Sequence, residues 1–317
     1  MLPARTVQSG MEPTVVCAFD PDAGDRAPVE LARLAARLLG SNLLIVVVRP
    51  GGTAPERLAR VEERGPRRPL EALAAELRWE PAAVRVVTAP SAACGLYDVL
   101  ASVRPALAVA GSAEEAPHGR VRPGTTTQRL LDGAPCPVAI APRGWTDRPL
   151  RAIAVAVLPS PEGRAALRAG AALAHAARLP LRIVLVLAGS PDTTEANAIA
   201  RELADDGPHP AIPGGLDHPA RDRAPAAGGA AAVLVPALAG AAIAAEPAAP
   251  RLDVASEVYV GDPADTIVRA SAQTDLLVLG SRAYGRAGEV HTGGVSRRVL
   301  NGAHCPVVLV PREAALA

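Results

Sequence analysis

The stretch Asp275 to Pro311, DLLVLGSRAYGRAGEVHTGGVSRRVLNGAHCPVVLVP, decides how the rest of the chain is read. Leu276 to Leu279 is a short apolar run of the kind a strand buried on both faces requires. Gly280 ends it, and a loop runs on to Gly293 and Gly294. Val295 to Leu300 then starts a helix whose first free N–H groups point back at that loop. Gly302 suits a helix C-cap, and Pro306 and Pro311 bracket a last strand.

The same pattern occurs 169 positions earlier, without a gap. Leu276, Val278, Gly280 and Ser281 fall on Leu107, Val109, Gly111 and Ser112. Gly293 falls on Gly124, Arg298 on Arg129 and Gly302 on Gly133. Cys305-Pro306-Val307 falls on Cys136-Pro137-Val138. Ungapped matches at the glycines and at Cys-Pro-Val describe one unit used twice.

Working outward, residues 1–12 read as a frayed tail. Strands are expected at Thr14 to Phe19, Leu43 to Val48, Val84 to Val87 and Leu107 to Ala110. Helices are expected at Pro28 to Leu39 and Tyr97 to Val103, with helical pieces over 54–64 and 69–79. Ile153 to Val157 repeats Val15 to Phe19 at an offset of 138, and Leu181, Ile183, Val184 and Val186 repeat Leu43, Ile45, Val46 and Val48. The offset grows to 169 later, so the second unit carries about 31 extra residues between Ala188 and Leu252. Residues 205–229, dense in Pro, Gly, Asp and Ala, read as a long excursion between helices. The domains expected are 13–145 and 150–313, joined near Gly144 to Pro149. Alternating strands and helices give an α/β fold: two tandem doubly wound domains, each a parallel sheet with helices on both faces.

Composition narrows the function classes. Hydrophobic residues are 49% but aromatics only 2%, so the cores must be aliphatic. A formal net charge of +1, with no basic stripe interleaved with aromatics, points away from nucleic acid and anionic membranes. Cys17, Cys94, Cys136 and Cys305 match no zinc or CxxC spacing and read as small buried hydrophobes in a reducing compartment. The N-terminus lacks the continuous apolar core of a signal peptide. Ala226 to Ala245 is uncharged but mostly Ala and Gly, broken by Pro236, and reads as an Ala-rich helix rather than a membrane span. The expected location is the cytoplasm.

Several segments resemble the universal stress protein family in its tandem form. They are Pro161 to Leu167, Val258 to Ala264, Asp275 to Arg282, and Val295 to Leu300 with Cys305-Pro306-Val307. The resemblance covers nearly the whole chain except the tail and the insertion. It implies a five-stranded parallel sheet per domain, related to adenine nucleotide alpha hydrolases, and a cytoplasmic regulatory role in stress, starvation or dormancy. It also implies ATP, with its accompanying Mg, bound through G-x2-G-x9-G-[S/T]. In that motif glycines let backbone approach phosphate and helix N–H groups face the anion. An acidic residue after the first strand and backbone at the end of the second complete the family's site.

Both copies depart from the motif. The first has Gly111, Glu114, Gly124 and Thr125, and keeps Asp20 and Thr127. Glu114 puts a carboxylate where a glycine is expected, a repulsion of about 1 kcal/mol at 4 Å from a phosphate charge in water. The second has Gly280, Ala283, Gly293 and Gly294, followed by Val295 and Ser296, with Arg282 and Arg286 in the loop. There, Leu158 stands where the first copy has Asp20. Two readings follow: a regulator with eroded ATP motifs, and an ATP-binding sensor with slow or no hydrolysis. The second copy has the better phosphate loop, the first the better base-and-ribose end.

No catalytic or metal-ligating residue is assigned. The six histidines show no metal spacing, and neither G-x-S-x-G nor G-x4-G-K-[ST] occurs. An alternative of another class, an adenylyl-transferring or electron-transfer enzyme of related topology, would need an HxGH-type loop or a flavin site. The expected partners are the two units themselves, paired as an intrachain pseudo-dimer through Val138 to Ala141 and Val307 to Val310. A homodimer and a regulatory protein partner are further expectations.

Overall fold

The computed structural model describes residues 13–51, 82–157, 161–187, 232–233, 252–281 and 288–312. Five parallel strands form the first half: β1 (Thr14–Ala18), β2 (Asn42–Pro50), β3 (Ala82–Ala89), β4 (Leu107–Gly111) and β5 (Val138–Ala141), in the order β3-β2-β1-β4-β5. The second half repeats it with β6 (Ile153–Val157), β7 (Leu181–Leu187), β9 (Val254–Val260), β10 (Leu276–Gly280) and β11 (Val307–Val310), in the order β9-β7-β6-β10-β11. The halves do not stand as two separate sheets. β5 and β11 pair antiparallel, with Val307 opposite Ile140, Val308 opposite Ala139 and Leu309 opposite Val138, giving one eleven-stranded sheet.

The eleventh strand, β8 (Ala232–Val233), pairs antiparallel with the outer edge of β9. It corrects the expected helix across Ala226 to Ala245 at these two residues. An edge strand offers unpaired N–H and C=O groups, and pairing with them outweighs the modest helix preference of Ala beside a β-branched Val. The tail, the helical pieces over 54–64 and 69–79, and the excursion over 205–229 lie outside the described residues.

Helices cover both faces because the strands are apolar on both. α1 (Ala27–Leu39) and α4 (Pro161–Ala177) pack on one face, over Val15, Leu43 and Val109 in the first half and Ile153, Val155 and Val278 in the second. On the other face lie α2 (Ala92–Val103), α3 (Thr125–Leu130), α5 (Pro263–Ser271) and α6 (Gly294–Leu300). Each layer of core runs through the seam and belongs to both halves. α4 lies so close to the sheet that a Cβ on Gly170 would fall 2.1 Å from a Val155 methyl.

Element ends moved by a few residues. α2 begins five residues before Tyr97 because the Ser91 hydroxyl accepts the Cys94 N–H and caps it. The C-cap of α6 is Asn301 rather than Gly302. Cys17, Cys136 and Cys305 are buried as expected, but Cys94, in the first turn of α2, is exposed. Just after the inter-unit linker, the chain is held by Asp275, 4% exposed, whose Oδ2 accepts the N–H groups of Arg151 and Ala152 at 2.8 and 3.2 Å.

Candidate functional site

In a sheet ordered β9-β7-β6-β10-β11, the chain winds outward in opposite directions from β6 and β10, leaving a crevice at their C-terminal ends. A cavity of about 350 Å³ opens there. Its apolar wall is Val184 and Val186 of β7, Ile267 of α5 and Leu279 of β10. Its opposite end is Gly293, Gly294, Val295 and Ser296 at the start of α6. Between them lie Val157, Glu162, Gly163, Gly280 and Ser281.

Local chemistry positions each part. A Cβ on Gly280 would sit 2.7 Å from the Glu162 carbonyl oxygen, so only glycine lets β10 end against the first turn of α4. Ser281 ties the returning loop down: its Oγ accepts the His291 N–H at 2.8 Å and donates to the His291 carbonyl at 3.0 Å. Gly293 is extended and caps α6, whereas a Cβ on Gly294 would meet nothing within 4 Å. Asp262 caps α5 by accepting the Asp265 N–H, and Arg298 of α6 bonds both Asp262 and Asp265, at 2.8 and 2.9 Å. That clasp joins two helices that both contribute residues to the pocket.

Of the residues singled out from sequence, Gly280, Gly293, Gly294, Val295 and Ser296 line this one cavity. Ala283, with Arg282 and Arg286, lies outside the described residues. The first-half candidates are arranged differently. Asp20 is exposed and accepts the Asp22 N–H at 3.0 Å, capping its own turn. The Pro28 ring lies against Gly111, with its Cγ 3.3 Å from where a Cβ would stand. The Thr127 hydroxyl donates to the Gly111 carbonyl at 3.0 Å. Gly124 caps α3, and Thr125, the first residue of the helix, is exposed. Glu114 is exposed. Thr127 and Ser296 are repeat mates, yet one hydroxyl closes on backbone and the other faces the cavity.

The profile of the universal stress protein family matches residues 149–311, just over half of the chain and all of the pocket. The chain belongs to the universal stress protein family. No curated protein matches its sequence. Among solved structures, it is similar to a putative universal stress protein from Pseudomonas aeruginosa UCBPP-PA14, at 19% identity over 96% of this chain and 95% of that one, with a TM-score of 0.60. A protein of unknown function from Pseudomonas aeruginosa PAO1 gives 18% identity, coverage of 96% and 94%, and a TM-score of 0.59. A universal stress protein from Archaeoglobus fulgidus DSM 4304 gives 14% identity, coverage of 94% and 96%, and a TM-score of 0.57. At such identities the likeness is one of fold, and it spans both halves.

In this universal stress protein each half steadies the other's loop. The Val121 N–H donates to the Ala303 carbonyl, and its repeat mate Val290 donates to the Ala134 carbonyl, both at 2.8 Å. The pocket loop has an extra brace: Asp132, from the first half, accepts the Thr292 hydroxyl at 3.2 Å. Across the seam the Arg120 guanidinium meets His304 and donates to the Gly302 carbonyl. Burial, and then the Arg120 charge, hold His304 below its ordinary value of 6.5. At the outer edge Arg182 forks onto Glu257, and burial with the Glu257 hydrogen bond pushes the Tyr259 hydroxyl up to about 12. Among the described residues no three His, Cys, Asp or Glu side chains gather as a metal site, and no helix is long and apolar enough to cross a membrane.

Sequence reasoning did not assign Glu162, Val184, Val186 or Ile267 to the site. Val184 and Val186 carry the alternation of a buried strand, which marks core and pocket alike. Glu162 had one usable signal: it stands one helical turn beyond Leu158, the repeat mate of Asp20.

Proposed function

We propose that this universal stress protein is a non-catalytic cytoplasmic regulator of stress or dormancy that binds an adenine nucleotide, ATP foremost, in its second half alone. One observation carries this reading: an apolar cavity of about 350 Å³ lies at the switch point of the second half and ends on a glycine cradle. Switch-point crevices are where doubly wound sheets take nucleotides. The residues present fit such a ligand. Val184, Val186 and Ile267 offer apolar walls to a base. Gly294, beside Gly293, leaves space at the loop-to-helix turn, where phosphate oxygens would meet backbone N–H groups, and Ser296 adds a hydroxyl. A Mg ion would ride on the phosphates. In the first half, Pro28 over Gly111 and Thr127 bonded to Gly111 occupy the comparable ground. The nucleotide would set the state in which a protein partner meets this chain.

Thermal melting with MgATP tests the proposal. A ligand that binds only the folded chain stabilises it by about 2.7 kcal/mol at a hundredfold excess over Kd, which raises Tm by several degrees. Gly294→Asp has room for its side chain, and an acid in the first turn suits the helix. It should melt like the parent without ATP and lose the shift with it. Asp20→Ala should keep the shift. No rise in Tm at millimolar ATP in the parent refutes nucleotide binding.

A further inference from the structure

Thr292 stands immediately before Gly293 and is held from the other half of the chain. Its hydroxyl donates to Asp132 Oδ1 at 3.2 Å and accepts from Arg297 Nη2 at 3.4 Å. Arg297 Nη2 lies 3.8 Å from the same Asp132 oxygen. The backbone is held at the same place: His291 forms an antiparallel bridge to Asp132, and the Val290 N–H donates to the Ala134 carbonyl at 2.8 Å. From the pocket side, Ser281 bonds both backbone groups of His291. Residues 290–292 are therefore gripped between Ser281 of their own half and Asp132 and Ala134 of the other.

Among the described residues, the repeat mates build no such brace. Asn301, the mate of Asp132, donates from its amide to the Arg297 carbonyl of the helix it follows, at 2.7 Å. Pro123, the mate of Thr292, has no hydroxyl and bridges to Ser112 of its own half. Gln128, the mate of Arg297, donates to the Pro123 carbonyl at 3.1 Å. The first-half loop is tied across the seam by Arg120 instead, four residues before Gly124. A side-chain brace next to the glycine belongs to the half with the open cavity.

We propose that Asp132 is a positioning residue for this pocket: from the first half, and through the Thr292 hydroxyl, it fixes the backbone at Gly293 and Gly294 that phosphate oxygens would meet. Backbone N–H groups hold an anion only when they point at it together, and a ligand that must first order them binds more weakly by the cost of that ordering. Asp132 orders the turn ahead of the ligand. It does not line the cavity, and Arg297 offsets its charge. The first half, whose own ground is taken up by Pro28 and Thr127, thereby has a part in ligand binding by the second. The proposal rests on nucleotide binding in the second half, and it adds to that reading a residue that acts across the seam.

The test is a calorimetric titration of the full chain with MgATP, repeated for Asp132→Ala, Asp132→Asn, Thr292→Val and the double variant Asp132→Ala with Thr292→Val. Asp132→Ala and Thr292→Val should each weaken ATP binding by roughly threefold to tenfold. Asp132→Asn keeps an oxygen that accepts the Thr292 hydroxyl, so it should bind like the unaltered chain. The double variant should bind no more weakly than either single one, because both remove the same interaction. The ligand-free variants should melt close to the parent, since both side chains of the ion pair are exposed. Hydrogen exchange at the amides of residues 290–297 should quicken in ligand-free Asp132→Ala and not in Asp132→Asn. Asp132→Ala that binds ATP as tightly as the parent, or exchanges no faster there, overturns the role of Asp132 and leaves nucleotide binding in place. Asp132→Asn as weak as Asp132→Ala, or losses that add in the double variant, does the same. If the unaltered chain binds no ATP, nucleotide binding itself fails and this assignment goes with it.

Discussion

Glycine and cysteine carry the clearest consequences at the scale of single residues. Gly280 permits α4 to approach β10, and the same closeness brings Glu162 into the pocket. Cysteine makes a separate point about burial. The thiolate is the reactive form, and burial disfavours it. Desolvation pushes Cys136 up to about 12, and pushes Cys17 and Cys305 up as well, whereas Cys94 faces solvent. Alkylation of the folded protein at pH 8, followed by intact mass, should therefore give a single adduct, at Cys94. In denaturant all four should react. Labelling of Cys136 in the folded chain at a rate near that of Cys94 would contradict the packing described.

Elements meet at the clasp between α5 and α6. The Arg298 hydrogen bond first, and then the Asp265 N–H, hold the Asp262 carboxyl below its ordinary value of 3.8. A carboxyl lowered by folding stabilises the fold fully above its unfolded value and loses that contribution as pH falls through the folded one. Asn remains a good helix cap, so Asp262→Asn removes the charge pair and keeps the cap. The variant should have a slightly lower urea midpoint than the parent at pH 7, and the gap should begin to narrow near pH 3.8 and close as the pH falls through the lower folded value. A gap of constant size across that range would mean that the ion pair contributes nothing. The clasp joins two helices that both line the cavity.

For the whole molecule, the seam decides cooperativity. β5 and β11 are buried along their length, and both core layers cross between the halves. Each buried Val or Leu there contributes about 1.5–3 kcal/mol, which neither half would keep alone. Urea unfolding followed by far-UV circular dichroism and by tryptophan emission should give one coincident transition. Val308, 2% exposed, is opposite Ala139. Val308→Asp would bury a charge at the join and should cost about 3 kcal/mol or more, lowering the midpoint seen by both probes. Two separate transitions in the parent would show that the halves fold independently.

The sequence by itself determined the repeat, the strand runs and the family, because glycines, Cys-Pro-Val and aliphatic runs are local signals at constant spacing. It also picked out Gly280, Gly293, Gly294 and Ser296, since a loop-to-helix turn is written in consecutive residues. Tertiary structure alone decided that two sheets become one, that β8 joins the edge, and that Thr127 closes while Ser296 stays open. It alone placed Glu162 beside residues more than a hundred positions away. Such contacts depend on which surfaces meet after folding, and no local pattern encodes the face that a neighbouring element will cover.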